Sequence, residues 1–205
     1  MNNRYVILTA QVVSLIFSPF YLPVFAFVML FFFSYLNYMP WTFNLAILLM
    51  VYTLTVLLPR LAIYAYRKLN GWTRYELSYR RRRYVPYVLS ISCYATLLYL
   101  MSSLRMPRFT LAIVAGALAI QVVCALVNSW VKVSTHAAAS GGVIGAVAAF
   151  SALLNFDPTG WLCVSILLSG MVCSARLILR QHTLAEVGLG VLIGILCGFF
   201  CILLI

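Results

Sequence analysis

Residues 184–204 read LAEVGLGVLIGILCGFFCILL, a run of 21 residues in which Glu186 is the one acidic or basic side chain. About 20 consecutive apolar residues are what a helix needs to cross a hydrocarbon core. In lipid the backbone must satisfy its own hydrogen bonds within the segment, so the run reads as a spanning helix. The rest of the chain has the same character: hydrophobic residues make up 65% of 205, charged residues 8%, and mean hydropathy is +1.05. No soluble core has use for that much apolar surface, and a soluble globular class is excluded.

Working outward from this run, further apolar segments lie at roughly 5–36, 41–66, 84–104, 108–131, 137–154 and 160–179. They are divided by NYMPW (37–41), a basic stretch (67–83), RMPR (105–108), NFDPTG (155–160) and RQHT (180–183). The pattern predicts an all-α polytopic membrane bundle of six core transmembrane helices. We expect a single membrane-embedded domain over 1–205, with N-terminal helices in 1–66 and a motif-bearing core in 74–190. The first segment carries SPFYLP (18–23) in its middle. It is therefore one kinked helix or two shorter ones that re-enter, and a seventh span stays open. The beginning MNNR followed by apolar residues resembles a signal peptide, but without an A-x-A-like site it is expected to be retained.

Fourteen Lys and Arg against three acids give a formal charge of +11. In this setting the excess points to anionic head groups or an anionic substrate rather than nucleic acid. The six cysteines all fall inside apolar runs with no CxxC spacing, so neither a metal nor a disulfide framework is expected. Gly190, Gly194 and Gly198 recur every fourth residue, and Ala137–Gly142 with Gly145 is similarly small; such ridges let helices approach closely. We assign them packing and no chemistry.

Ionisable groups at bilayer depth cost several kcal/mol and are functional candidates by default. Here the census is short: His136 and His182, with Glu76, Asp157 and Glu186 as the acids. Asp157 precedes a proline in a turn and is read as turn chemistry. By parity, three patches share one face of the membrane: YRRRRYVP (79–86), KVSTHAAASGG (132–142) and SARLILRQHTLAE (174–186). They offer cations, imidazoles, a carboxylate and helix N-termini, which suits phosphate chemistry. His182 and Glu186 are four apart, so on a helix starting near Thr183 the carboxylate reaches one ring nitrogen. Arg176 and His182 are six apart, about 240° around a continuous helix. They share a site only if the helix breaks between them, and Arg180-Gln181 offers the place. Thr183 to Glu186 also fits a capping box, Lys132 fits a snorkelling lysine, and Arg80 to Arg83 fit an interfacial anchor. An i, i+4 His and Glu also suits a metal, although no third ligand is evident beyond His136.

These residues resemble the type 2 phosphatidic acid phosphatases, which share a fold with vanadium haloperoxidases and carry the motifs K-x6-R-P, P-S-G-H and S-R-x5-H-x3-D. The third is matched by Ala175-Arg176, five residues, His182, three residues and Glu186. The second is matched by Val133-Ser134-Thr135-His136. The first is the loosest, since Pro86 follows Arg83 after two residues and Arg74 and Arg81 alone keep the six-residue gap. The departures are Glu186 for Asp, Thr135 for Gly and Ala175 for Ser. Residues 74–190 carry the resemblance.

The resemblance implies a metal-independent lipid phosphatase with no cofactor. His182 is then the nucleophile, Glu186 its orienting carboxylate and His136 the general acid and base. Arg176, Lys132, Ser134 and one or two of Arg80, Arg81 and Arg83 would bind phosphate. Implied substrates are lipid A, undecaprenyl diphosphate or phosphatidylglycerol phosphate, and the partners are membrane lipids. The rival reading is a non-enzymatic anionic-lipid-binding or transport bundle. The positive-inside tendency puts the basic face in the cytoplasm, whereas the resemblance implies the periplasmic face of a bacterial inner membrane, which is the expectation taken.

Overall fold

A computed structural model of the chain describes residues 3–71 and 83–204. The elements are α1 (Asn3–Ile16), α2 (Leu22–Phe33), a 3₁₀ turn (Tyr35–Tyr38), α3 (Trp41–Tyr52), a π-turn (Thr53–Leu57), α4 (Leu58–Leu69), α5 (Tyr84–Ser103), α6 (Arg108–Val127), α7 (Thr135–Leu154), α8 (Thr159–Ile178) and α9 (Leu184–Leu204). There is no strand among the described residues.

Among the described residues, six helices are long and apolar enough to cross a membrane: Trp41–Leu69, α5, α6, α7, α8 and α9. Helices α5 to α8 hold 20 residues each. At 1.5 Å per residue that is about 30 Å, the thickness of a hydrocarbon core. The fold class expected from composition is thus the one observed.

The first apolar segment is two helices, broken over Phe17–Tyr21. Pro19 and Pro23 account for the break, because neither has an N–H to bond a carbonyl one turn back. Pro23 falls in the first turn of α2, where that N–H has no helical partner anyway. Pro59 acts differently: it lies in the first turn of α4 and the chain widens into the π-turn just before it. The helix therefore continues through to Leu69 with a local adjustment instead of ending.

The chain forms two compact units, Met1–Pro19 with Ala115–Ile205, and Phe20–Val114. In the second unit, Phe27, Ile47, Val51, Leu97, Met101, Met106 and Val114 make an apolar core. Phe27 and Phe31 meet edge to face with ring centres 6.2 Å apart. Arg60 lies 4.5 Å over the Tyr21 ring and donates from Nη1 to its hydroxyl at 2.6 Å.

In the first unit, α7 and α9 run parallel with their backbones in near contact. A Cβ placed on Gly190 would lie 2.7 Å from the Ser134 carbonyl oxygen, and one on Gly194 would overlap the Ala138 oxygen. Gly141 and Gly145 meet the Val191 and Ile195 carbonyls, and Gly198 meets that of Gly142. The small-residue ridges read from the sequence are this interface. Helix α8 joins α7 through Ser140 and Ser169, whose hydroxyls are 3.0 Å apart, and α1 packs on α8. All six cysteines are free thiols within helices.

Candidate active site

The α7–α9 register brings two helix starts together at one end of the first unit. The Ser134 N–H donates to the Glu186 carbonyl at 3.3 Å, and Lys132 Nζ donates to the Gln181 carbonyl at 2.7 Å. Segments 132–136 and 181–186, widely separated in sequence, therefore lie side by side.

Each helix start is capped by its own hydroxyl residue. Ser134 is fully buried, adopts an extended backbone, and accepts the Ala137 N–H on Oγ at 3.4 Å. Thr183 accepts the Glu186 N–H on Oγ1 at 3.3 Å. The remaining first-turn amides of both helices have no carbonyl a turn back to bond, which leaves donors and dipole ends aimed out of the helix ends.

His182 is only 8% exposed and stands just before α9. Its Nδ1 is 2.7 Å from Glu186 Oε2. With an ionised carboxylate, which only accepts, and a neutral ring, Nδ1–H would donate and the lone pair would fall on Nε2. The capping box is thus half formed. Thr183 caps the helix, while the Glu186 carboxylate, which a full box sends back to the cap amide, is bonded to the histidine.

The break expected between Arg176 and His182 is present. Helix α8 ends at Ile178, and Arg180 takes a left-handed conformation at φ 50°. The Arg180 N–H bonds the Leu177 carbonyl at 2.9 Å and the Gln181 N–H bonds the Arg176 carbonyl at 3.2 Å. This is a Schellman ending. It turns the chain so that His182, one residue later, opens the next helix.

Arg176, in the last turn of α8, is 9% exposed and donates from Nη1 to Ser14 Oγ at 2.8 Å. Nothing in the sequence singled out Ser14, one hydroxyl in a 32-residue apolar segment. Its partner is 162 positions away, and no local spacing encodes such a contact.

His136 is the second residue of α7 and is half-buried at this same end. Lys132 is half-buried, and its bond to the Gln181 main-chain oxygen makes it a strap as well as a charge. Arg83 stands at the N-cap of α5, in the unit Phe20–Val114. Arg80 and Arg81 lie outside the described residues, as does Glu76. Asp157, exposed at the start of α8, accepts from the Thr159 hydroxyl at 2.6 Å and the Thr159 N–H at 3.0 Å. Those bonds hold its carboxyl below the usual carboxylate range.

Among the described residues, no group of three or more His, Cys, Asp or Glu side chains is placed to hold a metal ion. What the cluster offers is a carboxylate-bonded imidazole, a second imidazole, two cations and two helix N-termini. No protein-family model matches the chain, and comparisons with curated proteins and with solved structures find no match.

Proposed function

We propose that the protein is a metal-independent phosphatase of a membrane lipid, working through a phosphohistidine on His182. The observation that carries this reading is the part-buried His182–Glu186 pair at 2.7 Å, on a segment bonded to the main chain of Arg176, to Lys132 and to the start of α7. A carboxylate on Nδ1 fixes the tautomer, makes Nε2 the nucleophile and stabilises the imidazolium that forms.

In the first step, Nε2 attacks phosphorus in line as the bond to the lipid oxygen breaks. His136 gives that oxygen a proton. In the second step, water attacks the phosphohistidine while His136 takes a proton from it, and inorganic phosphate leaves with His182 restored. Arg176, Lys132, Ser134 and the first-turn amides of α7 and α9 would hold the non-bridging oxygens, which carry the transferring charge.

Substrates of suitable chemistry are lipid A, undecaprenyl diphosphate and phosphatidylglycerol phosphate. Each places a phosphate at the interface beside acyl or prenyl chains. With a diphosphate the departing group is itself a phosphate, and His136 matters less as an acid. We place the reaction at the periplasmic face of a bacterial inner membrane.

The test is phosphate release from a short-chain lipid phosphate by the purified chain in detergent with EDTA. Release that persists in EDTA and falls by at least about 10⁴-fold in His182→Ala supports the reading. Glu186→Gln keeps the shape but can give Nδ1 the wrong partner, and is expected to cost about 10²- to 10⁴-fold in kcat. Chelator-sensitive release would favour a metal site. No release, with His182→Ala indifferent, would favour an anionic-lipid-binding bundle.

A further inference from the structure

We infer that Ser14 is a positioning residue for Arg176, so that the N-terminal helix α1 completes the phosphate site; this rests on the phosphatase reading above. Hydroxyls on these helices usually turn back to the carbonyl one turn earlier. Thr55, Ser92, Thr96 and Ser103 do so, bonding Val51, Val88, Ser92 and Tyr99. Ser14 instead receives a guanidinium N–H from another helix at 2.8 Å, and both residues are over nine-tenths buried.

The chemistry of the acceptor matters. A carboxylate there would cancel the charge that a phosphate needs, whereas a neutral hydroxyl fixes one Nη1–H and leaves the cation intact. Arginine otherwise loses rotamer entropy on being ordered, and a bond made before substrate arrives removes part of that cost from binding.

Arg176 is also tied through its main chain. Its carbonyl accepts from Gln181 N–H, and the Gln181 carbonyl accepts from Lys132. The side chain therefore answers to α1 and the backbone to the turn that presents His182.

Helix α1 is suited to this and not to spanning alone. Its 14 residues extend about 21 Å, short of the roughly 30 Å core. Ser14 lies in its last turn and Arg176 in the last turn of α8, so the two helix ends coincide at the site. Leu15, beside Ser14, is 64% exposed and serves as a control on the same turn.

The experiment uses the full chain in detergent with EDTA, reading kcat/KM for a short-chain lipid phosphate and the inhibition constant for orthovanadate. Ser14→Ala should lower kcat/KM at least about tenfold and weaken vanadate similarly, the scale of a hydrogen bond to a charged group. Ser14→Thr should restore both to within about threefold, and Leu15→Ala should leave both alone. In an Arg176→Lys background, Ser14→Ala should add less than about threefold, since contacting residues are not additive. Equal losses in both backgrounds, or a Thr variant as poor as the Ala variant, overturn the inference. If Ser14→Ala does not give folded protein, Ser14→Cys against Ser14→Thr carries the same comparison, a weak acceptor against a strong one. A wild type with no EDTA-resistant release overturns the phosphatase reading and this inference together. An active wild type with Ser14→Ala unaltered overturns this inference alone.

Discussion

In the unit formed by residues 1–19 and 115–205, α7 and α9 touch backbone to backbone, and a Cβ on Gly194 has nowhere to go but the Ala138 carbonyl. In the unit 20–114 the interior is filled instead by large side chains: Tyr94, Phe27, Leu36, Leu97 and Met101 are each under 2% exposed. Lipid tails are as apolar as leucine, so helices in a membrane gain little from burial and must associate through contact and hydrogen bonding. Small residues supply contact by proximity of main chains, which fixes register to a fraction of a turn. Large residues supply it by volume, which tolerates rotamer changes. The histidine pair, the capping hydroxyls and Arg176 all belong to the first kind of unit, where a shift of register would separate Ser134 from Glu186 and Lys132 from Gln181.

The contrast breaks most sharply at Gly194. Gly194→Val inserts a branched side chain against a carbonyl that cannot move without its helix, and is expected to prevent recovery of folded protein, a loss above about 3 kcal/mol. Unfolding by denaturing detergent measures it. Gly116→Ala is the control, since its Cβ would meet Cys201 at an ordinary 3.6 Å; it should change stability by less than about 0.5 kcal/mol. The other unit should respond to the opposite operation. Phe27→Ala empties a site that is fully buried and should cost about 3 kcal/mol by the same measurement. If Gly194→Val were tolerated and Phe27→Ala were neutral, the two units would not be held as described.

A matched pair sharpens the comparison further. Arg105 in one unit and Arg180 in the other both sit at left-handed positions, φ 51° and 50°, closing Schellman endings of α5 and α8. Glycine takes that conformation without a Cβ penalty of about 1–2 kcal/mol, offset in part by its greater freedom when unfolded. Arg105→Gly and Arg180→Gly should therefore each raise stability by about 0.5–1 kcal/mol. Neither should alter phosphate release more than about threefold, because the turn before His182 keeps its backbone path.

These positions also show what the sequence exposes and what it conceals. Spanning helices were legible because hydropathy is summed over some 20 residues, and one misplaced polar group does not hide it. The His182–Glu186 bond was legible because four residues make one helical turn, and the polar pair Arg180-Gln181 marked a place for the break that a site shared by Arg176 and His182 would need. The split of the first segment was left between two outcomes, since Pro19 and Pro23 announce a disturbance without fixing its size. The Ser14–Arg176 bond, the Lys132 strap and the Ser134–Glu186 backbone pairing were not legible. Each joins residues far apart in the sequence, and two of the three have a main-chain oxygen as acceptor, a group every residue carries and no letter distinguishes.

The smallest expected effect separates two carboxylates within the tightly packed unit. Asp157 and Glu186 both stand at helix starts, α8 and α9, and each has a threonine beside it. Glu186 turns away from its cap to hold His182, whereas Asp157 accepts from the hydroxyl and the N–H of Thr159. Those bonds hold the Asp157 carboxyl below the ordinary carboxylate range. A carboxyl whose folded pKa is lowered stabilises the fold above its unfolded pKa, and loses that contribution as pH falls through the folded value. Asp157→Asn should therefore be slightly less stable than wild type at neutral pH and equal to it once acid has protonated the aspartate. Phosphate release should be unchanged across that range, because α8 runs about 30 Å from Thr159 to the Arg176 end. A neutral-pH loss of activity in Asp157→Asn, with stability intact, would mean that this acid serves the chemistry after all and that the far end of the unit is not the passive one.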